Sequence, residues 1–118
     1  MATIVTTTEL KKLATDGIKN LEAVIASANK LGDKLTAADK DVIAAYATYV
    51  DISKKHLAAI DTAENGVKEA FVAATLPCYI ATQLEKYAED SLKKSTDELW
   101  NKCTGLVYSK ETGAVTRK

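Results

Sequence analysis

Between Thr36 and Thr75 the chain repeats apolar and small residues at a fixed step. Val42, Tyr49, His56, Ala63 and Ala70 form one series, and Tyr46, Ser53, Ile60, Val67 and Ala74 form another. Both advance by seven positions, the spacing that holds side chains in one seam along a helix. A third series, Ile43, Val50 and Leu57, widens the apolar face. Only a narrow strip through Asp41, Thr48, Asp51, Lys55 and Thr62 is left for water. A helix apolar around most of its girth has to be covered on two sides. The pattern therefore predicts a central helix with a neighbour on each flank.

The flanking stretches read as helices too. Residues 1–5 read as frayed or extended. Thr6 to Glu9 fits a capping box, so a first helix is predicted over 7–31. Leu10, Ala14, Gly17, Leu21, Val24, Ala28 and Leu31 make its apolar face, opposite Lys11, Lys12, Asp16, Lys19, Glu22 and Lys30. Gly17 within that seam would let a neighbouring helix approach closely. Gly32 supplies a left-handed end to this helix, and Thr36 caps the next, with Asp39 and Asp41 in its positive first turn. Asn65-Gly66 is the one strong breaker in the central stretch. The seam keeps its phase across it, from Ala59, Ile60 and Ala63 to Val67, Ala70, Phe71 and Ala74, which favours one helix over 37–74 kinked at Gly66. A turn there would instead give four helices. Pro77 belongs in a first helical turn, which predicts a further helix over 77–104. Its outer side carries Glu85, Lys86, Glu89, Asp90, Lys93, Lys94, Asp97, Glu98 and Lys102, a solvated face. The expected fold is thus an all-α antiparallel bundle over 1–105, of three helices or of four, with coiled-coil-like seams. The tail over 106–118 alternates Leu106, Tyr108 and Val115 around a turn signal, and reads as a mobile extension or a short β-ribbon.

Composition narrows the function more by exclusion than by assignment. The 118 residues are 47% hydrophobic and 27% charged, a globular composition of single-domain size. Lys plus Arg and Asp plus Glu both total 16. A zero formal charge argues against non-specific nucleic-acid binding, which needs a basic surface. No apolar run approaches the roughly 20 residues of a membrane span. The start, MATIVTTTELKKL, lacks the form of a signal peptide, and cytoplasmic residence is the expectation. On one helix over 77–104, Cys78 and Cys103 would lie roughly 37 Å apart. That is beyond disulfide reach, so the spacing predicts two reduced thiols, at least one of them packed, over any bridge within or between chains. His56, the sole histidine, falls in the central seam and reads as a hydrogen-bonded core residue. There is no Cys-x-x-Cys, His-Glu-x-x-His, Gly-rich phosphate loop or Gly-x-Ser-x-Gly elbow. The residues assign no catalytic, cofactor-binding or metal position, and the chain reads as no enzyme.

The segment FVAATLPCYIATQLEKYAEDSLKKSTDELWNKC resembles the helical phasins, which coat bacterial polyhydroxyalkanoate granules. Tyr79-Ile80-Ala81-Thr82-Gln83 followed by Tyr87-Ala88 stands where that family has an apolar-aromatic segment and a Tyr-Ala-rich helix. Asn20-Leu21-Glu22-Ala23 begins a stretch like its first helix. The similarity covers roughly residues 18–106. It implies a non-enzymatic amphipathic protein that oligomerises and adsorbs to a hydrophobic polyester surface. Separately, an unbroken helix over 37–74 would be about 57 Å long and outreach its neighbours. Part of its apolar face would then be uncovered, which predicts a homo-oligomer. Ile43, Val50 and Leu57 are the candidate surface or partner contacts. The competing expectation is a self-assembling helical subunit or a helix-mediated protein interaction module.

Overall fold

A computed structural model describes residues 3–117. Four α-helices dominate it: α1 (Thr7–Asn29), α2 (Ala37–Ala59), α3 (Gly66–Gln83) and α4 (Asp90–Cys103). Three short strands, β1 (Thr3–Ile4), β2 (Leu106–Tyr108) and β3 (Val115–Arg117), form one antiparallel sheet in the order β1-β3-β2. The principal extents are 49 × 29 × 19 Å. The shortest of these accommodates two layers of helices at the usual spacing of about 8–10 Å.

The starts of the first two helices follow the local chemistry. Thr6 Oγ1 accepts from the Glu9 amide at 3.2 Å. At α2 a full capping box forms: the Asp39 amide donates to Thr36 Oγ1 at 3.0 Å, and the Thr36 amide donates to the Asp39 carboxylate at 3.1 Å. Gly32 adopts φ +49°, the left-handed conformation expected after α1.

The predicted helix over 37–74 is two helices. α2 ends at Ala59, and the amides of Thr62 and Ala63 both turn back onto the Ala59 carbonyl. Asn65 Oδ1 then caps α3 by accepting from the Lys68 amide at 3.1 Å. A Cβ on Gly66 would stand 2.3 Å from the Ile60 carbonyl oxygen, so only glycine lets the chain fold back this tightly. The seam kept its phase because both helices bury a face against the same core, not because the helix continues. The 57 Å rod, and with it the uncovered length that pointed to an oligomer, is absent.

The predicted helix over 77–104 is also divided. Its first part belongs to α3, where Pro77 lies buried in the interior rather than in a first turn. A 3-10 turn at Glu85–Tyr87 separates it from α4. No Gly or Pro marks this break; tertiary bonds hold it. The Glu89 amide donates to Ser27 Oγ at 3.2 Å, and the Tyr87 hydroxyl donates to Asp39 Oδ1 at 2.7 Å.

The division moves the two cysteines onto different helices, Cys78 on α3 and Cys103 at the end of α4. The 37 Å separation expected for one helix does not occur. Both are free and buried, and both belong to the same apolar cluster.

At the chain ends, residues 106–117 form a β-ribbon, and residues 3–4, expected to be extended, add a third strand to it. Met1, Ala2 and Lys118, which the readings of both termini included, lie outside the described residues. The Val5 amide continues the β1 contact by donating to the Val115 carbonyl at 2.9 Å.

Two apolar clusters fill the interior. One joins α1, α3, α4 and the sheet through Leu10, Ala14, Ala74, Cys78, Cys103 and Val115. The other joins α1, α2, α3 and the 3-10 turn through Leu21, Val24, Ile43, Ile80, Leu84 and Tyr87. The helix shared by both clusters along most of its length is α1. The centre of the fold is α1 with α3, and the 36–75 stretch contributes one central helix and one peripheral one.

Candidate interaction surface

The expected contact residues on α2 do not share one environment. Ile43 is 3% exposed and belongs to the second cluster. Val50 is half-buried and lines an open groove of about 290 Å³ between α1 and α2. Leu57 is half-buried against the first cluster. This stripe is the inward side of α2. A neighbouring row is more exposed.

Val42, Ala45, Tyr49 and Ile52 follow one another at three- and four-residue steps, so they share a helix edge. Val42 is 39% and Ile52 37% exposed, Ala45 is exposed, and Tyr49 is half-buried. The Tyr49 ring packs on Tyr46 with centroids 6.2 Å apart. On α3, Val72, Leu76 and Tyr79 recur at similar steps, the first two half-buried and Tyr79 48% exposed. Tyr79 meets Trp100 of α4 with ring centroids 5.8 Å apart. Farther along α3, Phe71 meets Tyr108 of β2 at 6.1 Å. Six of the seven aromatic residues thus sit on α2, α3, α4 and β2 without full burial, and only Tyr87 is buried. The seven-residue step of Val42 and Tyr49 was visible in the sequence. What the sequence could not tell is that Val42 would stay exposed while Ile43 is buried.

His56 is hydrogen-bonded, as its seam position implied, but at the edge of the molecule. Its Nδ1 lies 2.5 Å from Glu69 Oε2 of α3, with side-chain exposures of 34% and 27%. A carboxylate that orients an imidazole is half of a catalytic triad. The third member is not supplied. Ser53, one turn earlier on α2, is fully buried and its hydroxyl makes no hydrogen bond to His56 or any other group. A serine nucleophile has to be bonded to its base and open to substrate. The pair instead ties α2 to α3, beside the Asn65 Nδ2 to Tyr108 hydroxyl bond of 2.6 Å.

A second tie holds the other end of α2. The Tyr87 hydroxyl and the Thr36 amide, both donating to Asp39, hold its carboxyl below the usual range. The same bond pushes the Tyr87 hydroxyl up. In the same 3-10 turn, burial and the neighbouring Asp97 carboxyl raise Glu85. Among the described residues no group of three or more His, Cys, Asp or Glu side chains is arranged to hold a metal ion, and no helix is long and apolar enough to cross a membrane.

No family model matches the chain, and no curated protein or solved structure matches it.

Proposed function

We propose that this protein is a non-catalytic helical scaffold that works in the cytoplasm through exposed apolar side chains of α2 and α3. The observation that carries this reading is the exposure of Val42 and Ile52 on α2 and of Tyr79 on α3. Large apolar side chains grouped on one face mark a contact surface more often than chance exposure does. The phasin resemblance names a specific partner, the polyester surface of a polyhydroxyalkanoate granule, and the reading supposes that adsorbed copies associate there.

The test uses purified full-length protein, polyhydroxybutyrate particles and hydrophilic beads. The wild-type chain is expected to adsorb preferentially to the polyester. Val42→Lys with Ile52→Lys is expected to lose most of that preference while keeping the helical circular dichroism of the parent, because both side chains already reach water. Adsorption no better than that of an unrelated helical protein overturns the granule reading. If light scattering then shows a dimer that the same double variant dissociates, the face serves self-assembly instead.

A further inference from the structure

The two cysteines are brought together by tertiary structure alone. Cys78 is 1% exposed and Cys103 4% exposed. Cys103 Sγ lies 3.6 Å from the carbonyl oxygen of Ala74, one helical turn before Cys78 on α3. Its thiol therefore points at the turn of α3 that carries the other thiol. Cys78 is held in turn by α1: a Cβ on Gly17 would stand 3.1 Å from its sulfur, so the thiol fills the space that glycine leaves. Each thiol acts on the ionisation of the other. The adjacent Cys78 thiol, with the Arg117 cation, lowers the Cys103 thiol, while the adjacent Cys103 and burial push Cys78 up.

A small cleft opens against the cluster that holds both cysteines, through Val5 and Leu13, although neither sulfur lines it. It measures about 160 Å³ and lies between α1 and the end of α4, lined by Leu13, Asp16, Lys102 and Arg117 among others. Arg117, the cation that acts on Cys103, and Asp16, whose charge acts on Cys78, both line it. Arg117 is fixed over the end of α4 by a 2.5 Å bond from its guanidinium to the Lys102 carbonyl. The cleft has room for a few heavy atoms and not for a peptide disulfide.

We propose that Cys78 and Cys103 are a redox pair, converted by a small hydroperoxide entering over Arg117 into a disulfide that ties α3 to α4. The Cys103 thiolate attacks the terminal peroxide oxygen. The O–O bond breaks, the alcohol or water leaves with the thiol's proton, and Cys103 becomes a sulfenic acid. The Cys78 sulfur then attacks the Cys103 sulfur. The S–O bond breaks, and the departing hydroxide takes the Cys78 proton to leave as water. Two thiols and one hydroperoxide give one disulfide, one alcohol or water, and one further water. An external dithiol reverses the change by exchange.

The experiment treats the folded, full-length protein with equimolar hydrogen peroxide and then alkylates it in denaturant. The expected product is a single chain two hydrogens lighter, with no alkylated cysteine and a Cys78–Cys103 cross-linked peptide. Its melting temperature should exceed that of the reduced form. Loss of free thiols should be about tenfold faster than in the urea-unfolded chain, because only the folded chain holds the two cysteines in one cluster. Cys78→Ser should accumulate a sulfenic acid at Cys103 that dimedone traps, and Arg117→Gln should slow the folded protein without changing the unfolded one. Thiols that stay alkylatable, cross-links only between copies, or equal rates folded and unfolded would each overturn the proposal. The wild-type measurements stand even if a variant does not fold.

Discussion

Helices α1 and α2 are each 23 residues long, yet α1 buries ten residues and α2 only two, Ile43 and Ser53. Both repeat apolar residues at helical spacing, and α2 has the denser apolar pattern. The difference lies in how the neighbours are placed. α1 is covered by α3 and α4 and, towards its ends, by the sheet and the 3-10 turn. α2 is covered on one side, by α1 and α3. Burial fixes α1. Specific polar bonds fasten α2: Tyr87 to Asp39 near its start, His56 to Glu69 near its end, and Lys54 to Glu22 of α1 at 3.4 Å, an exposed pair that adds little. A densely apolar helix is thus not always the central one. Part of its pattern can be surface held ready for something else.

The largest test of this contrast is a matched pair of truncations. Leu21 of α1 is fully buried and Ile52 of α2 is 37% exposed. Leu21→Ala is expected to cost about 2–5 kcal/mol, the range for a large-to-small change in a packed core. Ile52→Ala should stay within about 0.5 kcal/mol. Urea denaturation of both variants checks this, and equal losses would mean that α2 is as central as α1.

Gly66 sharpens the contrast, because it sets where the peripheral helix ends. Gly66→Ala puts a Cβ against the Ile60 backbone, where no flexible side chain can give way. A cost of about 1–3 kcal/mol is expected, as for other overpacked sites. Gly32→Ala is the control: its φ of +49° is strained for alanine but nothing stands within 4 Å, so about 1 kcal/mol is expected. Thermal melts of the two variants should rank them in that order. A milder effect at Gly66 would mean that the chain can run through as the single helix its seam suggested.

The same residues show what the sequence held. Thr6 and Thr36 were readable because a cap is a local device, complete within four residues. Asn65-Gly66 was visible as a breaker, but phase continuity outweighed it. Phase reports which face is buried and is silent on whether the backbone between is straight. The break at 84–89 left no local trace: Leu84, Tyr87 and Ala88 look like helix, and only Ser27 and Asp39, far away in the chain, hold them in a turn. The thiol pair depended on that break and was hidden with it. Val42 and Tyr49 were in the seven-residue pattern all along, without a sign of how far each would be covered.

The smallest expected effect concerns the tie at the start of α2. Asp39 has its carboxyl held below the ordinary value by Tyr87 and Thr36, so what it contributes is present above about pH 4 and is lost as pH falls through its lowered value. Tyr87 is raised, so its share is present below about pH 10 and is lost as pH rises through its raised value. Between these limits the bond holds α2 to the 3-10 turn; outside them α2 loses that tie while α1 keeps its buried contacts. Tyr87→Phe keeps the ring in the second cluster and removes only the hydroxyl. It should lower the melting temperature slightly at neutral pH, and the difference from wild type should vanish at both the acid and the alkaline edge. Melts followed by circular dichroism across pH measure this directly. A difference that persists undiminished below pH 3 would show that Tyr87 acts through packing alone, and that α2 is held to the fold by something other than its polar ties.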